Sequence, residues 1–347
     1  MKALVFDRVG EVKLREVDAP TIMEDTDVVL RVTLTAICGS DLHLMHGHIQ
    51  TTPGYVLGHE YVGVVEQVGA AVKRFKRGDR VVGAGAPFCG LCDNCRKGHI
   101  YRCLRGGILG SGPEYGNLSG THAEYVRIPY ADTSLIAIPE NLTDEQVLFV
   151  GDILSTGYFS VIKANVTPGS SVAIFGAGPV GLCAVAAAKL FNPKQIILVG
   201  RENQYRLDMG KKLGATHTIL SSEESPLSAI MSLTEGQGAD AVIEAVGSAS
   251  TIQEAVRCAG IGSCVSIVGV SGNEVTLPMF EIFMKNLRIE TGIVDLKYMR
   301  VLMDLIECGN LDLTPLITHR VSLDSIENAM EIFEKRADNV IKIAIKP

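Results

Sequence analysis

Tryptophan is missing from this 347-residue chain altogether, and aromatic residues make up only 5% of it. The chain also lacks a basic stripe, an acidic tail, an internal repeat and any low-complexity tract. Its 32 Lys and Arg against 39 Asp and Glu give a net charge of -7, which favours solubility and gives no electrostatic reason to bind nucleic acid. No long apolar run is present. The uncharged stretch 172–188 comes nearest to a membrane span, but it sits at the short limit of roughly 17–25 residues and is interrupted by Gly176, Gly178, Pro179 and Gly181. A buried strand, a tight turn and a buried helix explain it better, so no membrane partner is expected. The opening Met1-Lys2-Ala3-Leu4-Val5-Phe6-Asp7 meets a charge too early for a secretory signal and reads as a first strand; the expectation is a cytoplasmic protein. Disulfides are disfavoured in such a compartment, and an odd total of 9 Cys, four of them tightly clustered, points to metal.

What the chain does have is core-forming material: 47% hydrophobic residues with 20% charged. At this length two domains are the default. Residues 28–36, 61–68 and 80–82 are β-rich with glycine punctuation, so the first part reads as mostly strand. Thr143 caps a helical pattern that runs to about Lys163, before Thr167-Pro168-Gly169. From Ser171 short apolar runs alternate with amphipathic segments, which predicts an α/β domain with a doubly wound parallel sheet. After about Val294 the alternation stops. Helices over 296–308 and 323–333 and a closing strand over 340–345 fold back on the amino-terminal part. The domains predicted are 1–153 with 295–347, carrying a lobe at 88–104, and 154–294.

Three constellations carry chemistry. Cys38-Gly39-Ser40-Asp41-Leu42-His43, with Gly58-His59-Glu60 further on, offers a thiolate, imidazoles, a hydroxyl and carboxylates. These are ligand types of a tetrahedral zinc that keeps one position open. Taken alone, Cys38 and His59 are equally well a packed thiol and a solvated imidazole. Cys89, Cys92, Cys95 and Cys103 are spaced C-x2-C-x2-C-x7-C, close enough to surround one ion with no vacant position; that predicts a structural zinc whose binding is folding energy for the lobe. Gly176-Ala177-Gly178-Pro179-Val180-Gly181 is G-x-G-x-x-G between a predicted strand and a predicted helix. There Gly176 permits the tight turn, Gly178 lets backbone approach a pyrophosphate, and Gly181 lets helix pack on strand. The next strand ends in Gly200-Arg201 where an NAD site usually carries an acid, which favours the 2′-phosphate of NADP, although Glu202 keeps NAD open.

A metal site and a nicotinamide site in one chain converge on hydride transfer to or from a carbonyl. With Gly78-Asp79-Arg80-Val81 and Ser266-Ile267-Val268-Gly269-Val270, these motifs make the chain resemble the zinc-dependent medium-chain alcohol dehydrogenases from end to end. The resemblance implies a Rossmann domain plus a mostly-β GroES-like catalytic domain. It implies two zinc ions per chain, the catalytic one held by Cys38, His59 and a third ligand at Asp152, where ethanol-type members carry cysteine. Asp at that place resembles the bacterial secondary-alcohol and threonine dehydrogenases. Glu60 is then a fourth ligand or a nearby carboxylate that exchanges with water. The family's proton relay runs through Ser40 to His43, Thr156 packs against the nicotinamide, and Val268, Gly269 and Val270 contact its amide. The partner implied is a small alcohol or ketone, a secondary one because Gly83-Ala84-Gly85-Ala86-Pro87 lacks the bulky aromatic of ethanol-type members. A homo-oligomer, dimer or tetramer, is expected. An NAD-linked polyol, butanediol or threonine dehydrogenase is the alternative within the family. The alternatives outside this activity are a zinc-free quinone-type reductase and a non-catalytic nucleotide-binding protein; zinc-free relatives lack the four-cysteine lobe and the Cys38/His59 pair.

Overall fold

A computed structural model describes residues 1–347. The chain forms two compact units, Met1–Asp152 with Asp295–Pro347, and Ile153–Val294.

The first unit begins with the antiparallel pair β1 (Lys2–Arg8) and β2 (Glu11–Glu16). β3 (Val28–Ala36) follows, then α1 (Gly39–Met45), β4 (Glu60–Val68) and β5 (Arg80–Gly83). An irregular stretch holding the short α2 (Asp93–Arg96) leads to β6 (Tyr125–Ile128), α3 (Ala131–Ser134), β7 (Leu135–Ala137) and α4 (Asp144–Val147). β3 is the hub because it pairs antiparallel with both β4 and β6. Its Val28, Leu30 and Val32 lie on one face and pack with Tyr61, Val65, Val81, Val126 and Ile128, while Val29 and Thr35 on the opposite face are buried as well, as befits a central strand.

The helix expected to run unbroken from Thr143 to about Lys163 is two helices. α4 stops at Val147, and α5 (Ile153–Lys163) begins after a turn at 148–152. The cause is tertiary. A Cβ on Gly151 would stand 1.9 Å from the Gly83 carbonyl, and the Gly85 N–H donates to the Gly151 carbonyl at 3.0 Å, so the turn docks on the backbone at the end of β5.

The second unit continues with β8 (Ser171–Phe175), α6 (Pro179–Lys189), β9 (Gln195–Gly200), α7 (Gln204–Leu213) and β10 (His217–Leu220). It then runs through α8 (Pro226–Leu233), β11 (Ala239–Glu244), α9 (Ala249–Cys258), β12 (Ala259–Ile267), α10 (Met279–Met284) and β13 (Arg288–Thr291). All strand pairs are parallel, in the order β10-β9-β8-β11-β12-β13. That is the Rossmann order, whose direction of progress reverses between β8 and β11, and ligands of open parallel sheets bind outside the strand carboxyl ends at that point. The chain then returns to the first unit through α11 (Met299–Glu307), β14 (Ile317–Ser322), α12 (Ile326–Lys335) and β15 (Lys342–Lys346). Leu323, Ile326, Met330, Phe333, Ile343 and Ile345 of the return share a core with Leu4, Phe6, Ile37, Leu44 and Leu57. β14 was not foreseen: Ile-Thr-His-Arg-Val-Ser is too polar to stand out, because the strand lies at the sheet edge. No helix is long and apolar enough to cross a membrane.

Candidate metal centres and dinucleotide site

Three separate stretches of chain bring the first donor cluster together. Cys38 caps the amino end of α1 just after β3, and its N–H donates to Asp41 Oδ2 at 2.8 Å. His59 and Glu60 stand at the start of β4, and Asp152 closes the Gly151 turn. One ligand atom from each of Cys38, His59, Glu60 and Asp152 lies within 4.8 Å of the others. His59 Nε2 is 3.3 Å from Asp152 Oδ2, and Cys38 Sγ is 3.5 Å from the same oxygen.

The charge balance of this cluster calls for a cation. Burial pushes the Cys38 thiol up, and the Asp152 and Glu60 carboxylates add to that. Burial likewise raises Glu60, to about 7, against the pull of Lys342. Burial lowers His59, but Asp41 and Asp152 outweigh it and the imidazole is drawn well above its usual range. Burial would raise Asp152 too, but His59 outweighs it and holds that carboxyl below its usual range, so it is the thiol, Glu60 and the imidazole that hold protons a divalent ion would displace, as metal ligands must be deprotonated. The donor set therefore fits zinc.

Around the cluster lie groups that orient it. Asp41 is fully buried, 3.6 Å from His59 Nδ1, and its Oδ2 meets His122 Nε2 at 3.2 Å. Burial alone would raise Asp41; the two imidazoles outweigh it and hold the carboxyl below the usual range. A carboxylate behind a ligating histidine fixes ring orientation. Lys342, fully buried on β15, reaches Glu60 Oε1 at 2.7 Å and the Ile37 carbonyl at 2.6 Å, while Glu60 Oε2 is buried and receives no hydrogen bond. Asp41, His122 and Lys342 were missed in the sequence. Lys342 had a signal, as the one charge in the apolar run 340–345 read as the closing strand. Ser40 Oγ sits 3.1 Å from His59 Nε2. His43 is on the same helix but bonds to His48 rather than to Ser40, with Nδ1 3.3 Å from His48 Nδ1. Burial and then the neighbouring His48 and His46 keep His43 below the ordinary histidine value.

The second cluster is one loop. Cys89, Cys92, Cys95 and Cys103 converge to within 4.8 Å, none in a disulfide. Cys92 and Cys103 sulfurs are 3.9 Å apart, near the roughly 3.8 Å that a tetrahedral site with 2.3 Å zinc–sulfur bonds requires. Backbone N–H groups of Leu91 and Cys92 point at Cys89 Sγ at 3.4 and 3.3 Å, that of Leu104 at Cys92 Sγ at 3.4 Å, and those of Cys89 and Arg105 at Cys103 Sγ at 3.3 and 3.4 Å. Hydrogen bonds to sulfur favour thiolate. The backbone N–H groups of Cys95 and then Leu104 draw Cys92 down to about 6, while burial and its sulfur neighbours push Cys95 up to about 12.

The glycine turn joins β8 to α6 in the second unit. Gly176 has φ +109, and a Cβ there would strike Val246 at 2.8 Å; one on Gly181 would stand 1.8 Å from the Gly176 carbonyl. Gly178, the cap before Pro179 and Val180, faces open space, as an approaching ligand requires. Gly200 ends β9 against Ala177, with Arg201 exposed just beyond. Val268 and Gly269 N–H donate to the Glu244 carbonyl at 2.9 and 3.0 Å. The Glu244 side chain, also unforeseen, accepts from Val246 N–H, Gly247 N–H and Thr251 Oγ1, tying down the loop after β11. Val270 is exposed, and its carbonyl would stand 2.3 Å from a Cβ on Gly247. Thr156 lies on α5, which packs on α6 where Gly157 meets Cys183.

Comparison with known proteins agrees along the whole chain. Residues 24–140 match the model of the alcohol dehydrogenase GroES-like domain, and residues 179–307 that of the zinc-binding dehydrogenases. An alcohol dehydrogenase of Cupriavidus necator is 36% identical over 368 residues, covering 100% of this chain and 99% of that one. A sorbitol dehydrogenase of Bacillus subtilis is 32% identical, covering 100% and 97%, and an L-threonine 3-dehydrogenase of Bacillus velezensis is 32% identical, covering 96% of each. Among solved structures, alcohol dehydrogenase TADH from Thermus sp. ATN1 has a TM-score of 0.95 at 38% identity, covering 100% of this chain and 99% of its own. A putative zinc-binding dehydrogenase of Sinorhizobium meliloti 1021 bound to NADP has a TM-score of 0.88 at 29% identity, covering 100% and 99%.

Proposed function

Since the chain belongs to the zinc-dependent, NAD(P)-dependent alcohol dehydrogenases of the medium-chain type, we propose that it moves a hydride between NADP and a small secondary alcohol or its ketone. The observation that carries this reading is the convergence of Cys38, His59, Glu60 and Asp152 donor atoms to within 4.8 Å. Cys38, His59 and Asp152 hold the catalytic zinc. Glu60, with one oxygen on Lys342, keeps the other for the metal or yields its place. The four lobe cysteines hold a second, structural zinc. When bound, zinc supplies a Lewis acid that lowers the pKa of a coordinated alcohol, and the nicotinamide accepts the hydride. Asp41 faces the His59 ring from behind, 3.6 Å from Nδ1, and favours the orientation that turns Nε2 to the metal. Ser40 Oγ would accept the hydroxyl proton as it gives up its own, and the imidazole of His43, which does not bond Ser40 directly, would be the last protein group of the relay before solvent. Gly176, Gly178 and Gly181 shape the pyrophosphate seat, Arg201 pairs with the 2′-phosphate, and Thr156 and the Val268-Gly269-Val270 segment bound the nicotinamide.

The second reading, an NAD-linked polyol or threonine dehydrogenase, is favoured by the relatives named for sorbitol and L-threonine. Sorbitol and L-threonine both carry secondary hydroxyls, so the two readings differ in cofactor and substrate size rather than in the chemistry. A homo-oligomer is supported by Met279, Phe280, Phe283 and Met284, 63%, 78%, 75% and 61% exposed on α10 next to the free edge strand β13. Specific activities on short alcohols, diols, polyols and threonine with each cofactor decide among these readings. Arg201→Asp should move preference toward NAD by about tenfold or more, through loss of a charge-assisted pair and added repulsion. A native preference for NAD overturns the role given to Arg201.

A further inference from the structure

The end of α1 closes in a Schellman motif. His48 N–H donates to the His43 carbonyl at 2.9 Å and Gly47 N–H to the Leu44 carbonyl at 3.0 Å, with Gly47 at φ +72. This motif sets the third residue from the helix end against the second residue beyond it, a place that is usually an apolar contact. Here both are histidines. Their Nδ1 atoms are 3.3 Å apart and their ring centroids 5.6 Å. A tetrahedral ion with metal–nitrogen bonds of about 2.0–2.1 Å spaces two ligand nitrogens by about 3.3–3.4 Å. We propose that His43 and His48 form a two-imidazole site for a divalent transition ion such as Ni2+ or Zn2+, distinct from both clusters described above.

Several features prepare the pair for this. Two facing neutral imidazole nitrogens share one proton as N–H···N, and an ion takes that proton's place between two lone pairs. His43 is half-buried, so its ring is held; His48 is exposed, so an ion can enter. The backbone bond from His48 to His43 fixes the spacing in advance, which reduces the ordering cost of binding. Imidazole donors select nickel, copper and zinc over magnesium and calcium. His46 neighbours the pair, its ring centroid 5.9 Å from that of His48, but its Nε2 is engaged by Glu334 at 2.9 Å and it is no ligand as placed. Occupation also has a consequence for turnover, which rests on reading His43 as the proton exit: an ion on its ring nitrogen closes that exit.

The test uses untagged protein carrying its full zinc complement and titrates Ni2+ by calorimetry. The native chain should bind one further Ni2+. His48→Gln should weaken that binding at least tenfold, while His217→Ala, altering an exposed histidine of the second unit, should not change it. No further nickel in the native protein, or equal affinity in His48→Gln, overturns the site. Turnover is followed in parallel. A fall that tracks nickel occupancy in the native enzyme and is absent in His48→Gln supports both the site and the exit role. Nickel bound with turnover unchanged supports the site and overturns the role given to His43. His48→Asn repeats the measurement, so that a fault of one variant cannot decide it.

Discussion

The two donor clusters of the first unit are built in opposite ways. The four cysteines come from one loop, and that loop's own N–H groups point at three of their sulfurs. The other cluster draws on the β3–α1 junction, the start of β4 and the Gly151 turn. It is backed by Lys342 from β15, 282 positions along the chain from Glu60. A closed cluster of local origin can only hold its loop together. A dispersed one, with mixed ligands and a hydroxyl at 3.1 Å, is assembled by the whole unit and can exchange a ligand for substrate. Damage to the first should therefore be read in stability, and damage to the second in turnover.

The hardest test of that division removes a dispersed ligand. His59→Ala or Asp152→Ala should cut turnover by at least about a thousandfold, roughly 4 kcal/mol of transition-state stabilisation, while the lobe keeps its ion. Metal analysis should fall from two zinc per chain to one. Full activity in Asp152→Ala would remove that residue from the ligand set.

Cys92→Ser makes the complementary cut. Three thiolates and a hydroxyl hold zinc poorly, so metal should again fall by one, but the loss of about 4 kcal/mol should appear in unfolding, and protein that remains folded should keep most of its turnover. An unchanged metal count with free thiols in native and variant would end the structural-zinc reading. Equal damage to turnover and stability in both sets of variants would erase the distinction between the clusters.

Lys342→Met probes what the dispersed cluster needs beyond its ligands. Glu60 and Lys342 are both fully buried, and removing the ammonium leaves a buried carboxylate without its partner, at a cost of roughly 3–5 kcal/mol. Denaturant unfolding of zinc-stripped protein measures it. Adding Glu60→Gln should recover part of the loss, because the uncompensated charge disappears with it. If the double variant is less stable than Lys342→Met, the pair does not act as a unit.

The contrast between the clusters also explains what the sequence reveals. The lobe and the glycine turn are local chemistry, readable from spacing, and the alternation from Ser171 onward already implied the parallel sheet that β8 to β13 form. Cys38, His59 and Glu60 could be picked out as donor types but not told from a packed thiol and a solvated imidazole, and Asp152 could be named only through resemblance, because nothing local joins them. The break at Gly151 was hidden since its cause, the Gly83 carbonyl, arrives from another strand. Asp41 and His122, 81 positions apart, meet for the same reason. Lys342 stands out as the one charge within 340–345, but only the burial of β15 between β14 and β3 makes it an interior charge with Glu60 as its partner.

The smallest expected effect concerns the space beside the dispersed cluster, which has no counterpart at the lobe. Gly85 is buried, and a Cβ built on it would meet the His59 carbonyl at 3.0 Å and the His59 ring carbon Cδ2 at 3.4 Å, so a side chain there would press directly on a proposed zinc ligand. The secondary-alcohol reading proposed above rests on the lack of a bulky side chain along 83–87, and it requires that this leave room for a second alkyl group on the carbinol carbon. Each buried methylene is worth about 0.8 kcal/mol, or about fourfold in kcat/KM, so 2-propanol should beat 1-propanol by roughly that factor. Gly85→Trp should reverse the order if the added ring fills the substrate's space. The 3.0 Å contact demands that the His59 backbone yield by a few tenths of an ångström, so zinc content must be measured alongside. Reversed preference with two zinc retained supports the open-pocket reading. A native enzyme that prefers 1-propanol would refute it.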